Sequence, residues 1–437
     1  MTLEDKLEKG EPARLFPTLD SSRKEGRAIS ILLFNLGAIY ELGKSLLGTI
    51  DISIGKNAKL SAYTEITFKQ PKECADQPDG LIIVRTGRRT WSALIEAKIG
   101  KNRIDPAQIE KYLKLARQND IDAVISVSNE FAVVPEHPPY SISGRLTQSV
   151  NLFHWSWKNI LTHSKILIDN EDVEDKDQEL ILREFIRFLK HQSTGIMGID
   201  DMGSRWTPLI GKLVSGAHLS KSDGDVEEVA ARWVQESKDL ELIISRRTST
   251  HISIKRNREQ KKDSRLFQIA TCEKLAGEGV LYTEYRIPDA AGNLSLQVNL
   301  ERRTLYVWMG VKAPEDKKYS KSCVTWLLRQ LKGCSEDNLF VEANWPGNRA
   351  NTQKPYSEVL DDPSVLKLED SRILPKSFRI MQICNETRKF RGTKTFVSLL
   401  ERTVPDFYEN VGQKLMSWQA PAPKIKNEED IQEGIVE

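Results

Sequence analysis

Gln77-Pro78-Asp79-Gly80-Leu81-Ile82-Ile83-Val84-Arg85-Thr86 and Arg89-Thr90-Trp91-Ser92-Ala93-Leu94-Ile95-Glu96-Ala97-Lys98 are two apolar, β-branched runs either side of Gly87-Arg88. They read as two strands joined by a two-residue hairpin loop, which a glycine in the first loop position favours. That loop fixes the register and sets Asp79 directly opposite Glu96, with Cβ atoms about 4.5 to 5.5 Å apart on one face. Lys98 lies two residues beyond Glu96 and shares its face, while Ala97 points away. Ser92-Ala93-Leu94-Ile95 is apolar on both faces and so belongs to a central strand, where two terminal charges call for an explanation.

Two carboxylates this close repel unless a cation sits between them. Hard oxygen ligands select Mg²⁺, or Mn²⁺ in its place; Mg²⁺ takes one or two protein carboxylates and completes its shell with water and phosphate oxygens. Lys98 would orient or deprotonate an attacking water, or offset charge on a phosphate. The expected chemistry is metal-assisted phosphodiester hydrolysis. Each piece also has a plainer reading. Pro78-Asp79-Gly80 is an ordinary turn sequence, and Glu96 with Lys98 is an ordinary solvated pair. The six histidines show no ligand-like pairing, and the five cysteines have no C-x-x-C spacing, so neither a zinc site nor a disulfide framework is expected.

Outward from the hairpin, the stretch from Arg27 to Leu47 reads as one buried helix and residues 60–68 as a strand that precedes the hairpin. Asp105-Pro106 opens a helix that runs to about Asn119, and a strand begins near Asp122. The order is helix, three strands, helix, strand. Gln108 stands where it could close a capping box, and Tyr112 shares a helical face with Ile109, Leu113 and Ala116, as a core residue would.

The literal Pro78-Asp79 and Glu96-Ala97-Lys98, in that order of elements, resemble the PD-(D/E)XK nuclease superfamily. The resemblance covers residues 25 to 130. It implies a restriction-endonuclease-like α/β core, metal binding by Asp79 and Glu96, and a catalytic role for Lys98. Gln108-Ile109-Glu110-Lys111-Tyr112 is similar to the Q-x-x-x-Y helix of the RecB-like and lambda-exonuclease-like branches, which would bring Gln108 and Tyr112 beside the site. The superfamily often adds an acid from the first helix or strand; Glu41 and Glu65 are available, and Glu65, on the strand beside the hairpin, is the preferred third metal ligand. The implied activity is a Mg²⁺-dependent nuclease acting on DNA, in restriction, phage defence or DNA repair. The alternative is a catalytically silent nucleic-acid-binding or scaffold protein that keeps the fold.

The 437 residues exceed one domain. Residues 1–200 are expected to form the nuclease-like domain, with a hinge in the Gly-rich stretch 193–204. Residues 205–420 should form an α+β domain with an antiparallel meander at 280–287, 294–300 and 304–311, and 421–437 a disordered tail. Trp308, Trp326 and Trp345 are expected in the core of the second domain, whose role in recognition, regulation or assembly, including homo-oligomerisation or a protein partner, stays open. With 64 basic against 62 acidic residues, bulk positive charge does not grip nucleic acid. Two local runs do stand out: nine basic residues against three acids from Arg85 to Arg117, expected around the site, and eight against two from Arg246 to Arg265. A charged start, MTLEDKLEKGEP, and no long apolar stretch suggest a cytoplasmic protein with no membrane partner.

Overall fold

The computed structural model of the chain describes residues 2–19, 23–69, 77–370 and 372–419. Its first elements are β1 (Leu7–Pro12), α1 (Lys24–Ala38), α2 (Tyr40–Gly48), β2 (Lys59–Phe68), β3 (Gly80–Thr86), β4 (Arg89–Ala97), α3 (Pro106–Gln118), β5 (Ala123–Ser128), β6 (Asn151–Ser156), α4 (Trp157–Asp169) and α5 (Lys176–Lys190). The six strands form one mixed sheet in chain order, antiparallel from β1 to β4 and parallel from β4 to β6. Every residue of β5 is buried, as a strand covered on both faces must be. One face packs Ile82, Ile95 and Ile125 against α1, α2, α4 and α5. The other packs Leu81, Leu94 and Val124 against α3.

The hairpin has the expected register: Thr86 pairs with Arg89 and Gly80 with Ile95, around Gly87 at φ +60°. Gly80 is required by close approach. A β-carbon there would lie 2.5 Å from Cδ1 of Leu33 and 3.3 Å from Cβ of Ile95, and both neighbours are themselves fully packed. Gly80→Val is therefore expected to lower stability by about 1 to 3 kcal/mol through overpacking. Urea melting checks this, and an unchanged midpoint would refute the packing argument.

The single helix expected over Arg27 to Leu47 is two. Ile39 has extended backbone (φ −114°, ψ 102°), and α1 and α2 meet at a bend of 105° that buries both apolar segments. Among the described residues no single helix is long and apolar enough to cross a membrane.

The chain continues through α6 (Trp206–Val214), α7 (Gly224–Thr248), β7 (Ser253–Ile254), α8 (Arg258–Lys262), α9 (Arg265–Glu278), β8 (Val280–Arg286), β9 (Leu294–Asn299) and β10 (Thr304–Lys312). Then follow α10 (Ser320–Gln330), β11 (Leu339–Asn344), β12 (Thr352–Pro355), α11 (Tyr356–Asp361), β13 (Ser377–Asn385), α12 (Thr387–Arg391) and α13 (Thr393–Asn410). The expected meander is β8, β9 and β10, neighbours in a seven-stranded antiparallel sheet of order β12-β11-β13-β10-β9-β8-β7. The molecule is thus mixed α/β with two sheets. Buried Glu236, Asp239 and Glu241 interrupt the apolar face of α7.

Compactness divides the chain elsewhere than at 200 to 205. One unit comprises Met1–Pro288, Gln297–Leu305 and Asn385–Pro405, and the other Asp289–Leu296, Tyr306–Cys384 and the residues from Asp406 on. Residues 193–204 do not divide the two units. The side chain of Asn129 donates to the Gly195 carbonyl (2.8 Å) and accepts from Met197 N–H (3.1 Å), and Ile199 N–H donates to Asp239 Oδ2 (2.9 Å), all within the first unit. Of the three tryptophans expected in a core, Trp345 is buried; Trp308 and Trp326 are half-buried, Trp308 with the Arg379 guanidinium 5.5 Å from its ring. The expected tail 421–437 and Cys74 lie outside the described residues.

Candidate active site

The open end of the β3–β4 ladder carries the charged residues. Beyond the Gly80–Ile95 pair, Asp79 and Glu96 come side by side, and Asp79 Oδ2 accepts a hydrogen bond from Ala97 N–H at 2.8 Å. Glu96 is 1% exposed. Lys98 Nζ donates to Glu96 Oε1, while Glu96 Oε2 is buried and has no hydrogen-bond partner. Burial, then the neighbouring Asp79, pushes the Glu96 carboxyl up to about 8, well above the usual carboxylate range. Burial likewise raises Asp79, against the opposing pull of the Ala97 N–H and Lys98. Burial alone would lower Lys98, but Glu96, Asp79 and Glu25 together raise it, so it is held as a cation.

Glu25, in the first turn of α1, is the acid that joins this group. Its Oε2 lies 3.9 Å from Lys98 Nζ, and its Oε1 accepts from Ile99 N–H (3.3 Å) and Asn102 Nδ2 (3.0 Å). Neither expected acid takes that place. Glu65 has a left-handed backbone (φ +52°), exposes its carboxylate and pairs with Arg23 at 2.9 Å. The irregularity interrupts the alternation of β2, so that Tyr63 and Ile66, three apart, pack on the same face. Glu41 lies on α2, where its charge acts on Lys56. The expected helix began at Arg27, two residues past Glu25.

On α3, Asp105 caps the N-terminus by accepting from Ala107 N–H (2.9 Å), and Gln108 takes no part in a capping box. Its Nε2 donates instead to the Tyr112 hydroxyl (2.8 Å), which donates to the Gln77 carbonyl (3.0 Å). Tyr112 is thus a fully buried core residue that also ties down the backbone leading into Asp79.

A second row was not legible in the sequence. Glu96, Ser126 and His154 are register partners on three successive parallel strands. His154 Nε2 faces the Glu130 carbonyl at 2.8 Å, and a carbonyl only accepts, so Nε2 carries the proton. Nδ1 then accepts from the Ser126 hydroxyl (2.8 Å), and Ser126 Oγ accepts from Tyr140 (2.6 Å). Burial lowers His154 to about 4 and keeps it neutral. This chain fastens the loop between β5 and β6 beside Glu96. No motif announces it, because Tyr140 and Glu130 belong to a loop without periodicity.

The basic run from Arg85 to Arg117 does not surround the site as a whole. Arg85, Arg88 and Arg89 sit at the turn end of the hairpin, roughly 20 Å along the strands from Asp79 and Glu96, and Arg85 pairs with Glu4. Lys101 and Arg103 follow directly on Lys98, and Lys111, Lys114 and Arg117 are exposed on α3. The second run is split as well. Arg246 is half-buried and donates to Thr162 (2.7 Å), whereas Arg265 is exposed.

A divalent cation fits this donor set. The orphaned Glu96 Oε2 and the carboxylate beside it are the hard, like-charged oxygens such an ion neutralises, and Mg²⁺ needs only one or two of them. Among the described residues no group of three or more His, Cys, Asp or Glu could hold a metal, so the remaining ligands would come from water or substrate.

The raised Glu96 has a measurable consequence. Its folded pKa near 8 exceeds the unfolded value of 4.5, so the metal-free fold binds the extra proton and loses stability as pH rises from about 4.5 to about 8. Glu96→Gln is expected to remove this component, flattening the pH dependence of melting by on the order of 2 to 4 kcal/mol across that interval. Added Mg²⁺ should raise the melting temperature of the parent at pH 8 and leave that of the variant unmoved. Identical pH profiles for the two proteins would refute the assignment.

The chain matches no protein-family model, no curated protein and no solved structure.

Proposed function

We propose that this protein is a Mg²⁺- or Mn²⁺-dependent nuclease of the PD-(D/E)XK type that hydrolyses phosphodiester bonds in DNA. The observation that carries this reading is the buried carboxylate pair, Asp79 with Glu96, whose orphaned oxygen stands beside a lysine held as a cation. Buried like charges are costly, and groups so perturbed are concentrated where chemistry is done. The restriction-endonuclease-like core is part of the same proposal, supported by the order α1, β2, β3, β4, α3, β5.

Asp79 and Glu96 would hold the metal ion, which when bound supplies Lewis-acid polarisation of a phosphate and a more acidic water. Lys98, protonated and steered by Glu25, places positive charge where the pentavalent phosphate gains negative charge. As a cation it is no general base, which narrows its expected roles to orienting water and offsetting charge. Gln108 and Tyr112 keep Asp79 in place through the Gln77 carbonyl. Hydrolysis adds the water oxygen to phosphorus, breaks one P–O ester bond and leaves the proton on the departing alcohol.

The test is incubation of purified protein with supercoiled, linear and single-stranded DNA and with RNA, in Mg²⁺, Mn²⁺ or EDTA. Cleavage of DNA with metal and none with EDTA is the expected result. Metal-independent binding without cleavage of any substrate would identify a silent nucleic-acid-binding protein instead.

A further inference from the structure

Lys98 stands between two carboxylates. Its Nζ donates to Glu96 Oε1 on the same strand, and Glu25 Oε2, from the first turn of α1, lies 3.9 Å from it. The backbone of Lys98 is fixed on both sides: its N–H donates to the Val127 carbonyl (2.8 Å), and its carbonyl accepts from the Trp157 indole N–H (2.9 Å). Only the side chain is left to change position, on a flexible four-carbon stem.

Glu25 is held so that one oxygen faces this lysine. Its Oε1 is taken by Ile99 N–H (3.3 Å) and Asn102 Nδ2 (3.0 Å), while among the described residues Lys98 is the only cation within 4 Å of its carboxylate. A full hydrogen bond between Nζ and Oε2, at about 2.9 Å, needs a shift of only about 1 Å. Glu25 does not join Asp79 and Glu96 as a third ligand, since among the described residues no three acidic, histidine or cysteine side chains converge closely enough to hold an ion.

Glu96 has two cations to serve. The carboxylate that would bind a divalent ion already neutralises an ammonium, which occupies Oε1 and leaves Oε2 unbonded. An ammonium and a divalent ion on one buried carboxylate repel each other with little solvent to screen them. For Glu96 to bind an ion at full strength the ammonium has to leave, and a largely buried cation leaves only for another anion. Glu25 Oε2 is the anion within reach.

We propose that the Lys98 ammonium has two stations, Glu96 and Glu25, and that Glu25 is a positioning residue which receives it when Glu96 takes a divalent ion. One cation thus replaces another at Glu96, while the lysine stays at the site with its charge still matched. The proposal rests on the metal-dependent reading of the site, and ion binding in the absence of nucleic acid tests it separately from cleavage.

The full-length protein at about pH 7.5 is titrated with Mn²⁺, and the free ion is read by electron paramagnetic resonance. Lys98→Met should bind the ion about tenfold more tightly than the parent, because no ammonium competes for Glu96. Glu25→Gln should bind it about tenfold more weakly, because the ammonium keeps its place on Glu96. In the Lys98→Met background Glu25→Gln should cost no more than about threefold, its effect through space alone, so that the two substitutions are coupled. Asn102→Ala, an exposed change that keeps both charges but loosens Glu25, should weaken binding about threefold, and it decides the matter if Lys98→Met does not fold. Equal losses from Glu25→Gln in both backgrounds, or an affinity unchanged in Lys98→Met or in Asn102→Ala, overturns the proposal. The expected pattern in a protein that cleaves no nucleic acid would leave the exchange standing and remove the nuclease reading.

Discussion

Asp79→Asn is expected to lower metal-dependent cleavage by at least about 10³-fold, a loss of roughly 4 kcal/mol of transition-state stabilisation. The substitution is nearly isosteric. The asparagine side-chain oxygen can still accept from Ala97 N–H, so the ladder end keeps its shape. What disappears is one of the two hard anionic ligands proposed for the metal. Because one of two mutually repelling carboxylates is also gone, the metal-free variant should melt at the same temperature as the parent or higher, and Mg²⁺ should no longer stabilise it. The combination separates function from folding: an inactive but more stable protein is the signature of a metal ligand. Activity within tenfold of the parent would eliminate Asp79 from the site.

Lys98→Ala should give the opposite pairing of effects, inactive and less stable. Lys98 is largely buried, and its ammonium is the direct partner of Glu96 and a neighbour of Asp79 and Glu25. Removing it leaves three acids with no cation between them, a loss of about 3 kcal/mol or more when one member of a buried pair is deleted. Cleavage should fall by at least about 10²-fold, since charge next to the phosphate is lost. Mg²⁺ should restore part of the stability, because the ion replaces the missing positive charge, but not the rate. Lys98→Arg should recover stability while remaining slow, as a planar guanidinium does not occupy the place of a compact ammonium. A Lys98→Ala protein that cleaves normally would assign Lys98 to ion pairing alone.

The two substitutions probe different parts of the same inference. Asp79 and Glu96 were legible as a facing pair because a tight turn transmits register along a hairpin without reference to the rest of the chain. Lys98 followed from the two-residue period of the strand. The third acid was not legible. Glu65 had the better position in sequence, but one residue of left-handed backbone turned it to Arg23 and solvent. Glu25 reaches Lys98 from a different element, more than seventy residues earlier, through the packing of α1 on the sheet. Tyr112 is a core residue, as its helical face implied, and its hydroxyl also ties a distant loop.

Charge runs were the least reliable guide. Counting basic residues along the chain placed Arg85, Arg88 and Arg89 with the site, and the hairpin carries them to its far end. Arg246 reads as surface charge but lies near the buried Asp239 of α7.

Sequence alone was enough to determine the succession β2, β3, β4, α3, β5, the hairpin register and the facing carboxylates, because turn chemistry, strand period and helix caps act over a few residues. Only the tertiary structure decided which acid lies beside Lys98, which tyrosine and histidine brace the site and where the chain divides. Those depend on side chains brought together by packing across long stretches of chain, where no local period or spacing carries the information.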